Sequence, residues 1–129
     1  FERIGLRYID AFSREKLGIQ DKPWTELIQS TWLGAIAFVE ETRVIGSGLD
    51  VEYLLDNGVS RVKVHAGLGN VNNAPETAFI VDSDFIHIGN ERIEKFDSVV
   101  NYLHDNSGKF IRSVITDTLH TAMVPEELT

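Results

Sequence analysis

Between Ile93 and Met123 apolar residues recur in steps of three and four: Ile93, Phe96, Val99, Val100, Leu103, Phe110, Ile111, Val114, Ile115, Leu119 and Ala122. That spacing marks one face of an α-helix. Ser107 fills the slot between Leu103 and Phe110, so the phase runs straight through Asp105-Asn106-Ser107-Gly108. The pattern predicts one long C-terminal helix, bent near Gly108 if anywhere, ending before Pro125. A stripe of that length needs a broad apolar surface to lie on.

The rest of the chain supplies that surface as strands. Residues 3–12 alternate, with Ile4, Leu6 and Tyr8 on one face and Arg3, Gly5, Arg7 and Ile9 on the other. This is the signature of a half-buried strand. Ser13 to Gln20 is a polar connector. Asp21-Lys22-Pro23 then opens a helix, with a capping aspartate and a proline in the first turn. Its stripe is Trp24, Leu27, Ile28, Thr31 and Trp32, running to about Ala35; Ile36 to Val39 suits a helix end or a short strand equally.

Asp56-Asn57-Gly58-Val59 predicts a two-residue hairpin turn, because Asn-Gly tolerates positive φ. That turn sets Tyr53 opposite Val62, Val51 opposite Val64 and Leu49 opposite Ala66. On the other face it sets Glu52 opposite Lys63 and Asp50 opposite His65. Turn chemistry, alternation and charge pairing agree. Gly67 to Thr77 reads as a loop. Ala78 to Ile88 is a strand with three apolar residues on each face. The Phe79, Val81 and Phe85 face, which also carries Ser83 and His87, is taken as the core face, and a bulge near Ser83 would reconcile the two faces. Strands at 3–12, 46–56, 59–69 and 78–88 then make an α+β fold. It is a four-stranded, mostly antiparallel sheet with two helices on one face.

Composition narrows the function classes. The 129 residues suit a single domain, and 43% apolar residues can build its core. With no cysteine there is no disulfide framework and no thiol chemistry. No apolar run is long enough to span a membrane, and no signal peptide precedes the first strand. The expected compartment is the cytoplasm of a prokaryotic cell. A net charge of −8, with no Lys/Arg run, argues against nucleic acid and anionic lipid as partners. Phe1 opens directly into a strand, so the chain is expected to be the C-terminal fragment of a longer protein. Its own N-terminal half is then a natural partner, and a two-fold dimer of the fragment, through a sheet edge or the open face, is the expected substitute.

Asp82 and Asp84 sit two apart on a strand, so their carboxylates share a face. Such a pair could hold a divalent cation or do acid/base work, but no third ligand has diagnostic spacing. The plainer reading pairs them with Arg3 or Arg7 across a strand. His65 faces Asp50 as a surface pair. His87 falls on the core face as a hydrogen-bonded histidine. His104 lies at the edge of the helix stripe and His120 off it, too far apart to share a ligand. Gly46-Ser47-Gly48 lacks the setting of a nucleophile elbow, and Gly67-Leu68-Gly69 lacks the helix that follows a phosphate loop. Trp24 and Trp32 read as core.

Arg3-Ile4-Gly5-Leu6-Arg7-Tyr8-Ile9, Asp82-Ser83-Asp84, His104 and the segment Phe110…Ile115-Thr116-Asp117 resemble the C-terminal half of a sporadically distributed family of prokaryotic proteins. The resemblance covers most of the chain, although four residues rather than three separate Phe110 from Ile115. It implies a missing N-terminal half of similar size and, the family having no known function, no activity. The leading expectation is therefore a non-enzymatic protein-interaction or ligand-recognition module, without cofactor or metal. Its binding face would be the open sheet face bearing Arg3, Arg7, His65, Asp82 and Asp84. The alternatives are a small-molecule pocket between sheet and long helix, and a metal-dependent hydrolase using Asp82 and Asp84.

Overall fold

The computed structural model describes residues 2–70 and 76–123. Four strands, β1 (Arg3–Phe12), β2 (Leu49–Leu54), β3 (Arg61–Gly69) and β4 (Ala78–Ile88), form one sheet in the order β1-β4-β3-β2. Every neighbouring pair is antiparallel. The Gly67–Gly69 stretch, expected both in the 59–69 strand and in the loop that follows, belongs to β3. The central part of that loop and the helix end at Pro125 lie outside the described residues.

The β2–β3 register is the one the Asn-Gly turn predicts: Tyr53 faces Val62, Val51 faces Val64, Glu52 faces Lys63 and Asp50 faces His65. The turn itself is wider. The Leu55 N–H donates to the Ser60 carbonyl at 2.8 Å, so Asp56 to Val59 form a four-residue loop with Gly58 at φ 70°. The Asn57 side chain closes it from within, its Oδ1 accepting the N–H of Val59 at 3.0 Å and of Ser60 at 2.8 Å. An asparagine that takes local N–H groups stabilises such a loop. Widening by one residue on each side leaves the facing pairs unchanged.

In β4, Phe79, Val81 and Phe85 are each 0% exposed, and Ser83 and His87 share their buried face. The ladders to β1 and β3 run unbroken past Ser83, so no bulge is needed. The other face carries Ile80, Ile86 and Ile88. Ile86 is also buried there, because β4 is flanked by strands on both sides.

The helices depart from the sequence pattern. Ile93–Lys95 is a 3₁₀ turn, and α3 (Phe96–Val114) runs continuously through Gly108. The chain breaks at Ile115-Thr116 and resumes as α4 (Asp117–Met123). The first helical stretch breaks likewise, into α1 (Trp24–Leu27) and α2 (Ser30–Leu33), followed by a 3₁₀ turn at Gly34–Ala37. Asp21 does not cap α1; the cap position is Pro23, without a side-chain bond.

The two breaks are one structure. Ile28 and Ile115 form an antiparallel bridge, with Gln29 N–H donating to Val114 at 2.8 Å and Thr116 N–H to Leu27 at 2.9 Å. Ile28 and Ile115 are 1% and 2% exposed. Each break thus satisfies backbone groups that the other would leave orphaned in the core. The Thr116 hydroxyl reaches the carbonyls of Glu26 at 2.6 Å and Leu27 at 3.1 Å, and accepts the Leu119 N–H that opens α4.

The core lies between the sheet and the helices. Val62, Val64, Phe79, Val81 and Phe85 meet Leu27, Leu103, Phe110, Val114 and Leu119. Each fully buried aliphatic or aromatic side chain stabilises by about 1.5–3 kcal/mol. Ile93 and Phe96, counted in the stripe by spacing, are 75% and 44% exposed and lie outside it. Since α3 packs on β1 and β4, the core-side residues of β2 are left thinly covered, with Val51 36% and Tyr53 41% exposed. The opposite sheet face carries the charged residues, and there the site is sought.

Candidate functional site: a charged sheet face

Antiparallel register arranges the open face in rows. Arg7 on β1 faces Asp84 on β4, which faces Lys63 on β3, which faces Glu52 on β2. The next row runs Ile9, Asp82, His65, Asp50. The first row alternates in sign along its whole length. Because the side-chain period is two, a slip by one residue would send these charges into the core, so burial of the other face fixes the array.

Within the array, Arg7 does not pair with the residue directly opposite. It reaches diagonally to Asp82, with Nη2–Oδ2 at 2.6 Å and Nε–Oδ1 at 2.9 Å. This two-point grip holds the Asp82 carboxyl below its usual range, the hydrogen bond from Arg7 being the largest cause. His65 Nδ1 lies 2.7 Å from Asp50 Oδ1, as the register predicts. Arg7, Asp50, Lys63, His65, Asp82 and Asp84 line one shallow depression of about 240 Å³.

Of the residues expected at the site, Arg7, His65, Asp82 and Asp84 therefore come together. Arg3 does not line the depression. It stands at the end of β1 opposite Ile88, where a side chain on Gly5 would begin 3.7 Å from both its guanidinium and Asp84. Asp50 and Lys63 line the depression with them, and Glu52 extends the row, as the hairpin register puts all three on this face.

The array offers little to a metal. Both Asp82 oxygens are engaged by Arg7, and among the described residues no group of three or more His, Asp or Glu side chains could hold an ion. What the face does offer is a fixed pattern of alternating charge, with the exposed Ile9 (62%) at its β1 margin.

A second polar cluster sits at the far end of β4. The buried Ser60 hydroxyl lies 2.9 Å from His87 Nδ1 and accepts a bond from Asn57 Nδ2, also at 2.9 Å. Since the amide can only donate, the Ser60 proton is best placed toward Nδ1, which leaves the imidazole proton on Nε2. Nε2 is buried without a hydrogen-bond partner and lies 3.6 Å from Glu91 Oε1. It borders a depression of about 260 Å³, lined also by Asn57, Lys95, Ser98 and Tyr102. The serine–histidine–glutamate order is that of a triad, but Ser60 is 0% exposed and cannot meet a substrate. Sequence placed His87 on the core face; it had no signal for Ser60, which is 27 residues away along the chain.

Ser47, His104, Trp24 and Trp32 make structural contacts. Ser47 Oγ accepts the Leu68 N–H at 2.9 Å. Its backbone passes so close over β3 that a Cβ on Gly67 would collide with it. His104 Nδ1 meets the Tyr8 hydroxyl at 3.0 Å, and His120 is exposed. Trp24 is core, and Trp32 is half-buried edge-on against Phe110. Among the described residues no helix is long and apolar enough to cross a membrane. No family model, no curated protein and no solved structure matches the chain.

Proposed function

We propose that the chain is a recognition module that binds another protein through the helix-free face of its sheet. The observation that carries this reading is the row Arg7, Asp84, Lys63, Glu52, which alternates in sign in direct register across all four strands. Exposed ion pairs contribute little to stability, so the fold does not require that row. Electrostatic pattern does set partner choice, orientation and encounter rate. The fitting partner is a protein surface with the opposite alternation. By the family resemblance, that partner could be a further domain of the same polypeptide. An overall charge of −8 disfavours polyanions as ligands. The test is a quantitative capture comparing the wild-type chain with Lys63→Glu, which breaks the alternation at an exposed position. A partner retained by the wild type at low salt should be lost from the variant and from the wild type at high salt. A partner retained equally by both chains would refute the reading.

The His87 depression favours a second reading, a small-molecule site between the sheet and the start of α3. A buried imidazole N–H without a hydrogen bond, bordering this depression, suits a ligand group that accepts one, such as an amide carbonyl. Titration of the ¹⁵N-labelled chain with acetamide and with free amino acids should move the His87 ring signals first. No movement at the solubility limit would remove this reading and leave the first untouched.

A further inference from the structure

The two edges of this sheet complement each other. At one edge, β2 presents Asp50 and Glu52 on the open face and the half-exposed Val51 and Tyr53 on the covered face. At the other, β1 presents Arg3 and Arg7 on the open face and Leu6 and Tyr8 on the covered face, packed against the core. Among the described residues both strands have a neighbour on one side only. We propose that copies of this chain join edge to edge, β2 of one against β1 of the next, into one continuous antiparallel sheet.

Geometry, charge and burial each support this joint. Three successive antiparallel pairings make β2 run opposite to β1. A copy shifted along the sheet and turned by the sheet's own twist therefore offers an antiparallel β1 with its helices on the same side. Setting Glu52 opposite Arg7 of the next copy extends the charge row without a break in its alternation. The same register places Val51 beside Tyr8 and Tyr53 beside Leu6, with Arg3 level with the β2–β3 loop.

Val51 and Tyr53 are exposed because α3 lies over β1 and β4 and not over their strand. In the joint they gain the cover of the next copy's α3, which stands above its β1. Arg7 can serve both contacts. Its bond to Asp82 uses Nε and Nη2 and leaves Nη1 without a hydrogen bond among the described residues.

Self-pairing of either edge is the inferior solution. A two-fold β2–β2 contact sets Asp50 and Glu52 against acidic residues, and a β1–β1 contact centred on Arg7 sets arginine against arginine. Like charges directly opposite are destabilising. A head-to-tail joint, by contrast, leaves a free edge at each end, so it grows past the dimer until a ring closes.

Sedimentation of the 129-residue chain from about 5 µM to about 500 µM tests this. Weight-average mass should keep rising past the dimer. Glu52→Lys, at an exposed edge position, should shift association to at least about tenfold higher concentration. Arg7→Glu should do the same. An equimolar mixture of the two variants should regain growth past the dimer, because the intact β2 of one meets the intact β1 of the other and the two reversed edges again set opposite charges face to face. Arg7→Glu also removes the bond to Asp82. Arg3→Glu, whose guanidinium has no hydrogen bond or ion pair among the described residues, is therefore the second β1 variant, and circular dichroism checks the fold of each. A chain that stays monomeric throughout, a mass that levels off at the dimer, or association indifferent to Glu52→Lys would each overturn the proposal. So would a chain that stays monomeric but binds a peptide alternating lysine and valine, because β2 would then belong to a different partner.

Discussion

Replacing Thr116 with valine separates a broken helix from a continuous one. Valine keeps the branched shape and removes only the hydroxyl. In the structure that hydroxyl reaches the carbonyls of Glu26 and Leu27 and accepts the Leu119 N–H at 3.3 Å. A net intramolecular hydrogen bond contributes about 0.5–1.5 kcal/mol, and loss of a threonine cap costs about 0.5–2 kcal/mol. The cap bond here is long, so the low end applies to it. The Leu27 carbonyl keeps its bond from the Thr116 N–H at 2.9 Å, so no buried acceptor is orphaned. The expected loss is about 1–2 kcal/mol by urea denaturation, with an unchanged m-value. Were Ile93 to Met123 one continuous helix, Thr116 would be an interior helical position. Threonine and valine have nearly equal helix propensity, so the change would then be close to zero. A measured loss below about 0.3 kcal/mol would refute the paired breaks.

Leu103, fully buried against the sheet, should cost about 2–5 kcal/mol when truncated to alanine, measured the same way; a loss under about 0.5 kcal/mol would mean the stripe faces solvent. Gly108→Ala should stabilise by about 0.5–1 kcal/mol, because α3 is regular there and a Cβ at Gly108 meets nothing within 4 Å; a lower urea midpoint would show a real kink. Arg7→Gln should lower stability at neutral pH and have no effect in strong acid. Arg7 holds the folded Asp82 pKa below its usual value, so the bond's contribution is present above the ordinary carboxylate range and fades as pH falls through the lowered value. A pH-independent difference between Arg7→Gln and wild type would assign the effect to packing.

The strands were legible because a period of two has only one competing reading. In β2 and β3 an Asn-Gly turn, apolar alternation and opposed charges all fixed the same register, and it survived even though the turn is four residues wide. The β1–β4 and β3–β4 pairings then bring together four of the five expected site residues. The helix breaks were hidden for a physical reason. Ile28 and Ile115 are buried like helical core positions, and one extended residue between two helices barely disturbs a spacing of three and four. What defines the breaks is the bond between segments nearly 90 residues apart, which no local pattern carries. Ile115-Thr116-Asp117, expected within a helix, accordingly proves to be the hinge between two. The Ser60–His87 contact was invisible for the same reason. Arg7 chose Asp82 over the facing Asp84 by side-chain reach, which register alone does not specify.

The central claim is that the open sheet face, and not the helical face, meets the partner. A photoreactive benzoylphenylalanine in place of Lys63 reports on the open face, and one in place of Lys109 reports on the exposed side of α3; both positions are exposed. Irradiation in the presence of cell extract, followed by mass spectrometry, should give a defined adduct from position 63 that is absent from position 109 and is competed away by excess unlabelled wild type. The same adduct from both positions, or one from position 109 alone, would contradict the account.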